Sequence, residues 1–313
     1  MPSLTGPMSA IFQRTIPTIP SETVEWVAVG NFGKLATSPD GITWTQRTSS
    51  FTDSIVRVAH DGTQWIAVGV LGKLATSPDG ITWTQQTSSF GATATITGIA
   101  SSGSLWVAVG DSPTLTTSPD GITWTVQSSS FSTTINNVTH GVGFYTAVGL
   151  TPDGFSPPEL ATSPDGFIWT QQTNPFTGGS NLLGVGNNNS NLIAACSDMG
   201  EIATSPDGVT WTLQTNPLAG VLNAIAHNGS NLWTVVGDSA QIATSPDGVT
   251  WTQQISPFGI NSHFGVAHNG SSLWITVGGG GQLATSPDGV TWTLRTSSFG
   301  TDEIFGINSR NSI

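Results

Sequence analysis

The stretch Ser118-Pro119-Asp120-Gly121-Ile122-Thr123-Trp124 decides the fold of this chain, because its core recurs at a nearly fixed spacing. Ser-Pro-Asp-Gly occurs seven times, with aspartates at Asp40, Asp79, Asp120, Asp165, Asp207, Asp247 and Asp288, separated by 39, 41, 45, 42, 40 and 41 residues. Four residues after each aspartate comes a tryptophan: Trp44, Trp83, Trp124, Trp169, Trp211, Trp251 and Trp292. Seven residues beyond each tryptophan stands a large apolar side chain, namely Phe51, Phe90, Phe131, Phe176, Leu218, Phe258 and Phe299. A period near 41 with Gly, Pro and aromatic punctuation is that of a four-stranded propeller blade, which buries its faces only by stacking on its neighbours.

Working outward from Asp120, alternation predicts four short strands at 97–100, 105–110, 114–117 and 122–127. They are rich in β-branched residues, the last two are joined by the Asp-Gly turn, and no stretch carries a helical period. The chain enters its first repeat at the second-strand position, Trp26-Val27-Ala28-Val29-Gly30. After Phe299 it runs into Ile304-Phe305-Gly306-Ile307-Asn308, which matches the inner strand of the other repeats. The expected fold is therefore all-β: a seven-bladed β-propeller of four-stranded antiparallel blades, its ring closed by the C-terminal strand and its edges thereby paired. It is expected to span 21–313 as one domain, behind an N-terminal extension, 1–20, that contains Pro2, Pro7, Pro17 and Pro20.

Composition narrows the function classes. Of 313 residues only 8% are charged, and seven basic against nineteen acidic residues leave a net charge of −12. Nucleic-acid binding needs clustered Lys and Arg, and here they are scattered along the sequence, so no nucleic-acid partner is expected, nor an anionic membrane surface. No segment approaches the roughly 20 apolar residues of a membrane span, and residues 1–15 lack the pattern of a secretion signal. The expectation is a chain made in the cytoplasm and, where it leaves the cell, carried out in a virion or surface assembly. The single Cys196, in an apolar run, excludes an internal disulfide and reads as a small buried residue.

Ser-Pro-Asp-Gly-Ile-Thr-Trp resembles the Asp-box of sialidase-like (BNR-repeat) β-propellers, with one residue fewer between Asp and Gly. The resemblance covers all seven repeats and implies the turn between the third and fourth strands of each blade. Proteins with similar Val-Ala-Val-Gly and Ser-Pro-Asp-Gly-x-Thr-Trp-Thr repeats look like bacterial surface and phage virion components. A sialidase also needs an arginine triad, a tyrosine nucleophile and an acidic partner. The one tyrosine here, Tyr145, occupies the slot that Trp65 and Trp106 fill in neighbouring repeats, and the arginines occupy mostly unrelated positions. What the resemblance implies is the scaffold without the enzyme.

The seven tetrad aspartates read as turn residues that accept backbone N–H bonds, since one carboxylate per turn is too few ligands for Ca²⁺. The tryptophans, all in repeat register, read as packing between blades, with sugar stacking as the alternative. His60, His140, His227 and His268 share one turn position, where other repeats carry Ser101 and Asn187 or Asn188, and are expected to be spread too far round the ring to share a metal. Specificity is sought instead where the repeat breaks, in the links between second and third strands. There Asp111, Asp198 and Asp238 share one place, and the insertion at 150–159 adds Asp153 and Glu159. These five carboxylates are the candidate ligand-binding residues, on the face opposite the Ser-Pro-Asp-Gly turns. No pair of them has the defined separation and unequal environment of a glycosidase. The functional expectation is a non-enzymatic recognition or structural module without cofactor or metal, attached to a protein partner in a larger assembly, to a glycan, or to both. A multivalent lectin with one site per blade is the alternative, and a glycoside hydrolase the third reading.

Overall fold

The computed structural model of the protein describes residues 23–311 and contains seven four-stranded antiparallel sheets, the blades of a closed propeller. The extension, 1–20, lies outside the described residues. Blade three shows the pattern: inner strand Ile96–Ser101, then Trp106–Gly110, Leu115–Ser118 and the outer strand Thr125–Gln127. Blade one is built from both ends of the sequence, with Ile304–Ser309 pairing antiparallel to Trp26–Gly30 as its inner strand.

The second strands are wholly buried in six blades, as in Trp26–Gly30 and Trp65–Gly69, and in blade four all but Phe144, because each touches a neighbouring blade on both faces. They accordingly read as nearly continuous apolar runs. The core is a ring of inter-blade clusters; in one, Val27, Val29 and Leu35 of blade one meet Ile55, Trp65 and Trp83 of blade two. Tyr145 is buried in the slot that tryptophan fills elsewhere, and its hydroxyl donates to Leu105 O at 2.6 Å. Cys196 is also buried, which pushes its thiol up to about 12.

The outer strand is shorter than alternation predicts, starting at Thr125 and not at residue 122. Asp120 explains the difference, because Oδ1 accepts the amides of Ile122 (2.9 Å) and Thr123 (2.8 Å) and withholds them from the ladder. Trp124 Nε1 then donates back to Gly121 O at 3.0 Å, folding the indole over the turn. Gly121 has φ 73, and a Cβ there would lie 2.6 Å from Ile66 Cδ1 of the preceding blade, so both backbone and packing require glycine. The same carboxylate-to-amide pattern occurs at all seven tetrads, including Asp40, Asp165 and Asp247. Backbone donors hold the Asp120, Asp165, Asp207 and Asp247 carboxyls below the usual carboxylate range.

Candidate functional site

Each of the seven inner strands begins with one residue paired to the last residue of its second strand, and a bulge follows immediately. In blade two Ile55 pairs with Gly69 and Arg57 with Val68, which leaves Val56 as the extra residue. Such a bulge re-aims its side chain out of the regular alternation. The seven bulged residues, Phe305, Val56, Thr97, Asn136, Leu183, Asn223 and Phe264, line one cavity of about 420 Å³. It forms the axial mouth on the face of the links between second and third strands.

Three of these residues knit the inner ring together. Thr97 Oγ1 donates to Ile135 O, Asn136 Nδ2 to Leu182 O at 2.8 Å and Asn223 Nδ2 to His263 O at 2.9 Å, each reaching the next blade. With nitrogen committed to the scaffold, the amide oxygens of Asn136 and Asn223 remain as acceptors at the mouth. Phe264, Phe305 and Val56, from the consecutive blades seven, one and two, form an apolar crescent, with the two phenyl rings 5.9 Å apart and tilted by 44°.

Arg57 stands at the waist, lining both this mouth and a second axial cavity of about 220 Å³ beyond it. The equivalent residue is small in five other blades: Gly98, Gly184, Ala224, Gly265 and Gly306. Its Nη1 donates to Val56 O at 3.1 Å and Phe305 O at 3.3 Å, and burial pushes the guanidinium below its ordinary value, though arginine stays charged.

The far cavity carries the histidines. His60, His227 and His268 end their inner strands, His140 stands one residue before the end of its own, and all four line the axis, not the circumference. Each packs against an aromatic residue at the start of its second strand, as in His227–Trp233 with centroids 4.7 Å apart; in blade four that residue is Tyr145, one place after the opening Phe144. Nδ1 of His227 and of His268 accepts a backbone amide at 2.9 Å, and desolvation brings both imidazoles down to about 4, so they are neutral at pH 7. Among the described residues no group of three or more His, Cys, Asp or Glu could hold a metal ion.

The five carboxylates singled out from sequence are not brought together. Asp111 accepts Thr95 N at 2.9 Å, Asp198 the backbone and side-chain amides of Asn181 at 2.8 and 2.7 Å, and Asp238 the Asn223 side chain at 2.9 Å. Each thereby ties the link to the start of its own inner strand. Asp153 accepts Phe155 N and Ser156 N within its own turn, and Glu159 receives the amides and hydroxyls of Ser132 and Thr133. The tryptophans are covered: ten of twelve are less than 9% exposed, and Trp44 and Trp292 pack against core clusters.

The bulge ring is less conspicuous in sequence than the links, but the aligned repeats carry its signal: a variable second position on the inner strand, followed by one arginine in a slot that is mostly glycine. The same links do hold two exposed apolar residues in left-handed backbone, Phe32 (φ 56, 71% exposed) and Leu71 (φ 59, 45% exposed), where blade seven has Gly280 (φ 65). A β-turn that needs positive φ favours Gly or Asn, so two large apolar residues there are locally unfavourable.

No protein-family model matches the chain, and no curated protein matches it. Solved structures do match in fold. One described as "YCF48 bound to D1 peptide" aligns with TM-score 0.62 at 16% identity, covering 90% of this chain and 87% of that one. YCF48 from Cyanidioschyzon merolae aligns with TM-score 0.60 at 16% identity over 81% of this chain and 93% of that one. The Myceliophteria thermophila Cps50 (Swd1) β-propeller domain aligns with TM-score 0.59 at 11% identity, over 80% and 87%. At these identities the likeness concerns the fold, a β-propeller.

Proposed function

We propose that this protein is a non-catalytic recognition propeller, which holds a peptide segment of a protein partner at the axial mouth as part of a larger assembly. The observation that carries this reading is the bulge ring, where seven otherwise repetitive blades present seven side chains of varied chemistry to one cavity. A repeating scaffold acquires specificity where it stops repeating. The mouth combines an apolar crescent with amide acceptors, a pairing suited to peptide side chains and backbone N–H groups. That a propeller of similar fold is recorded with a bound peptide supports the same use of this architecture. The repeats' resemblance to virion and surface components makes a virion or surface assembly the expected setting. Sugar stacking would need open indole faces, and the covered tryptophans favour a peptide over a glycan.

Selection of a displayed random-peptide library on the folded protein tests this reading. Peptides so obtained are expected to lose about tenfold or more in affinity to Phe264→Ala or Phe305→Ala, as for buried anchors, and to bind Ile42→Ala, on the opposite face, unchanged. Peptides indifferent to both phenylalanines would refute the assignment of the mouth. Saturable binding on a glycan array with no peptide selected would transfer the function to a lectin.

A further inference from the structure

The positive charges that look scattered in sequence are gathered by the closure of the ring. Lys34, Arg47 and Arg310 belong to blade one, Arg57 and Lys73 to blade two and Arg295 to blade seven. Between Lys73 and Arg295 the sequence has twelve acidic residues and no Lys or Arg, so the whole net charge of −12 belongs to residues 74–294. The remainder of the chain balances seven acidic against seven basic residues. Among the described residues, blades seven, one and two hold six basic against eight acidic residues, and blades three to six hold ten acidic and no basic ones, so the three blades are the least negative sector for an approaching anion.

Within that sector Arg57 differs from the lysines. Lys34 pairs with Asp302 at 2.6 Å and Lys73 with Asp53 at 2.5 Å, both on the links. Arg57 has no carboxylate partner among the described residues, and its only hydrogen bonds leave from Nη1, so Nε and Nη2 keep their donors unused. The guanidinium is half-buried at the cavity wall, its remaining donors are open to an arriving counter-charge, and its planar fork matches a carboxylate. The same cavity is lined by the crescent of Phe264, Phe305 and Val56, which suits an apolar group held beside the guanidinium.

We infer that Arg57 is a binding residue for a carboxylate carried beside an apolar side chain, supplied by the peptide that occupies the mouth. The inference rests on the peptide reading above and adds to it the chemistry of the ligand. The carboxylate comes either from the end of a chain or from an internal Asp or Glu.

Calorimetric titration at low salt with two matched probe pairs tests it. The first pair is N-acetylphenylalanine and its neutral amide; the second is Ac-Phe-Asp-Phe-amide and its Asn counterpart. In at least one pair the acid is expected to bind about tenfold or more tightly than the neutral partner, the size of a charge-assisted hydrogen bond. The pair that discriminates identifies the source of the carboxylate. Arg57→Gly, which installs the residue found at Gly98 and Gly306, should fold and lose the preference, whereas Arg57→Lys should keep part of it. Acid and neutral probes binding alike, neither acid binding, or a preference that survives Arg57→Gly would each overturn the inference. If library peptides still depend on Phe264 and Phe305 while the acids show no advantage, the carboxylate assignment alone fails and the mouth stands.

Discussion

Trp26, near the beginning of the described chain, is paired through its backbone with Ser309, near the end, and on its other side with Ser38 of its own hairpin. Blade one therefore depends on residues 283 positions apart in sequence. Removal of 303–313 exposes the second strand of blade one and opens the ring between blades one and seven. The expected result is loss of the single cooperative unfolding transition and self-association on gel filtration; a truncated chain with an unchanged melting profile would contradict this closure.

The turn aspartates contribute independently. Asp79 accepts the amides of Ile81 and Thr82, both at 2.8 Å, and Asp288 those of Val290 (2.9 Å) and Thr291 (2.7 Å). Asp79→Ala and Asp288→Ala should each cost about 1 kcal/mol in urea unfolding, by analogy with the loss of a capping side chain. The two turns lie in blades that do not touch, so the double variant should show the sum of the two effects.

Acid should weaken the protein before its carboxylates titrate. In the unfolded chain a histidine ionises near 6.5, whereas burial brings His227 and His268 down to about 4 and His263 to about 3. Between these values the unfolded chain binds more protons, so stability is greatest above pH 6.5 and falls as the pH drops towards 4. The slope is at most about 1.4 kcal/mol per pH unit for each such histidine. Asn187 makes in blade five the hydrogen bond that His227 makes in blade six, accepting Asn189 N at 2.9 Å. His227→Asn should therefore flatten melting temperature against pH below 6.5 and leave it nearly unchanged at pH 8.

Phe32 and Leu71 hold left-handed backbone on an exposed rim, a conformation that costs a non-glycine residue about 1–2 kcal/mol. Part of that returns as lost chain entropy when glycine replaces them. Phe32→Gly should thus stabilise the protein by about 0.5–1 kcal/mol in chemical denaturation. A destabilised variant would mean that the phenyl ring packs in solution.

The ring, the number of blades and the closing strand were legible in sequence because each depends on a motif written seven times. The outer strand was misjudged at Ile122 and Thr123, whose β-branched side chains suggest a strand while their amides are taken by Asp120. The turn position shared by the four histidines was legible, but their convergence on one axial cavity was not, because sequence does not reveal which end of a strand reaches the axis. Asp111, Asp198 and Asp238 stood out as shared breaks in the repeat, but sequence cannot distinguish a carboxylate awaiting a ligand from one already tied to the amides beside it. Arg57 and the bulged residues become a site only when seven strands converge, a property of the closed ring and of no single blade.

The gathering of cations into three blades has a consequence for motion as well as for binding. With ten acidic and no basic residues over blades three to six, and six basic against eight acidic over the other three, the disc has an electric dipole lying in its own plane, perpendicular to the propeller axis. A charged partner approaching from a distance exerts a torque that turns one edge of the disc towards it before any contact is made. Orientation at encounter is thus built into the order of the blades, and it fades once salt shortens the Debye length below the width of the disc.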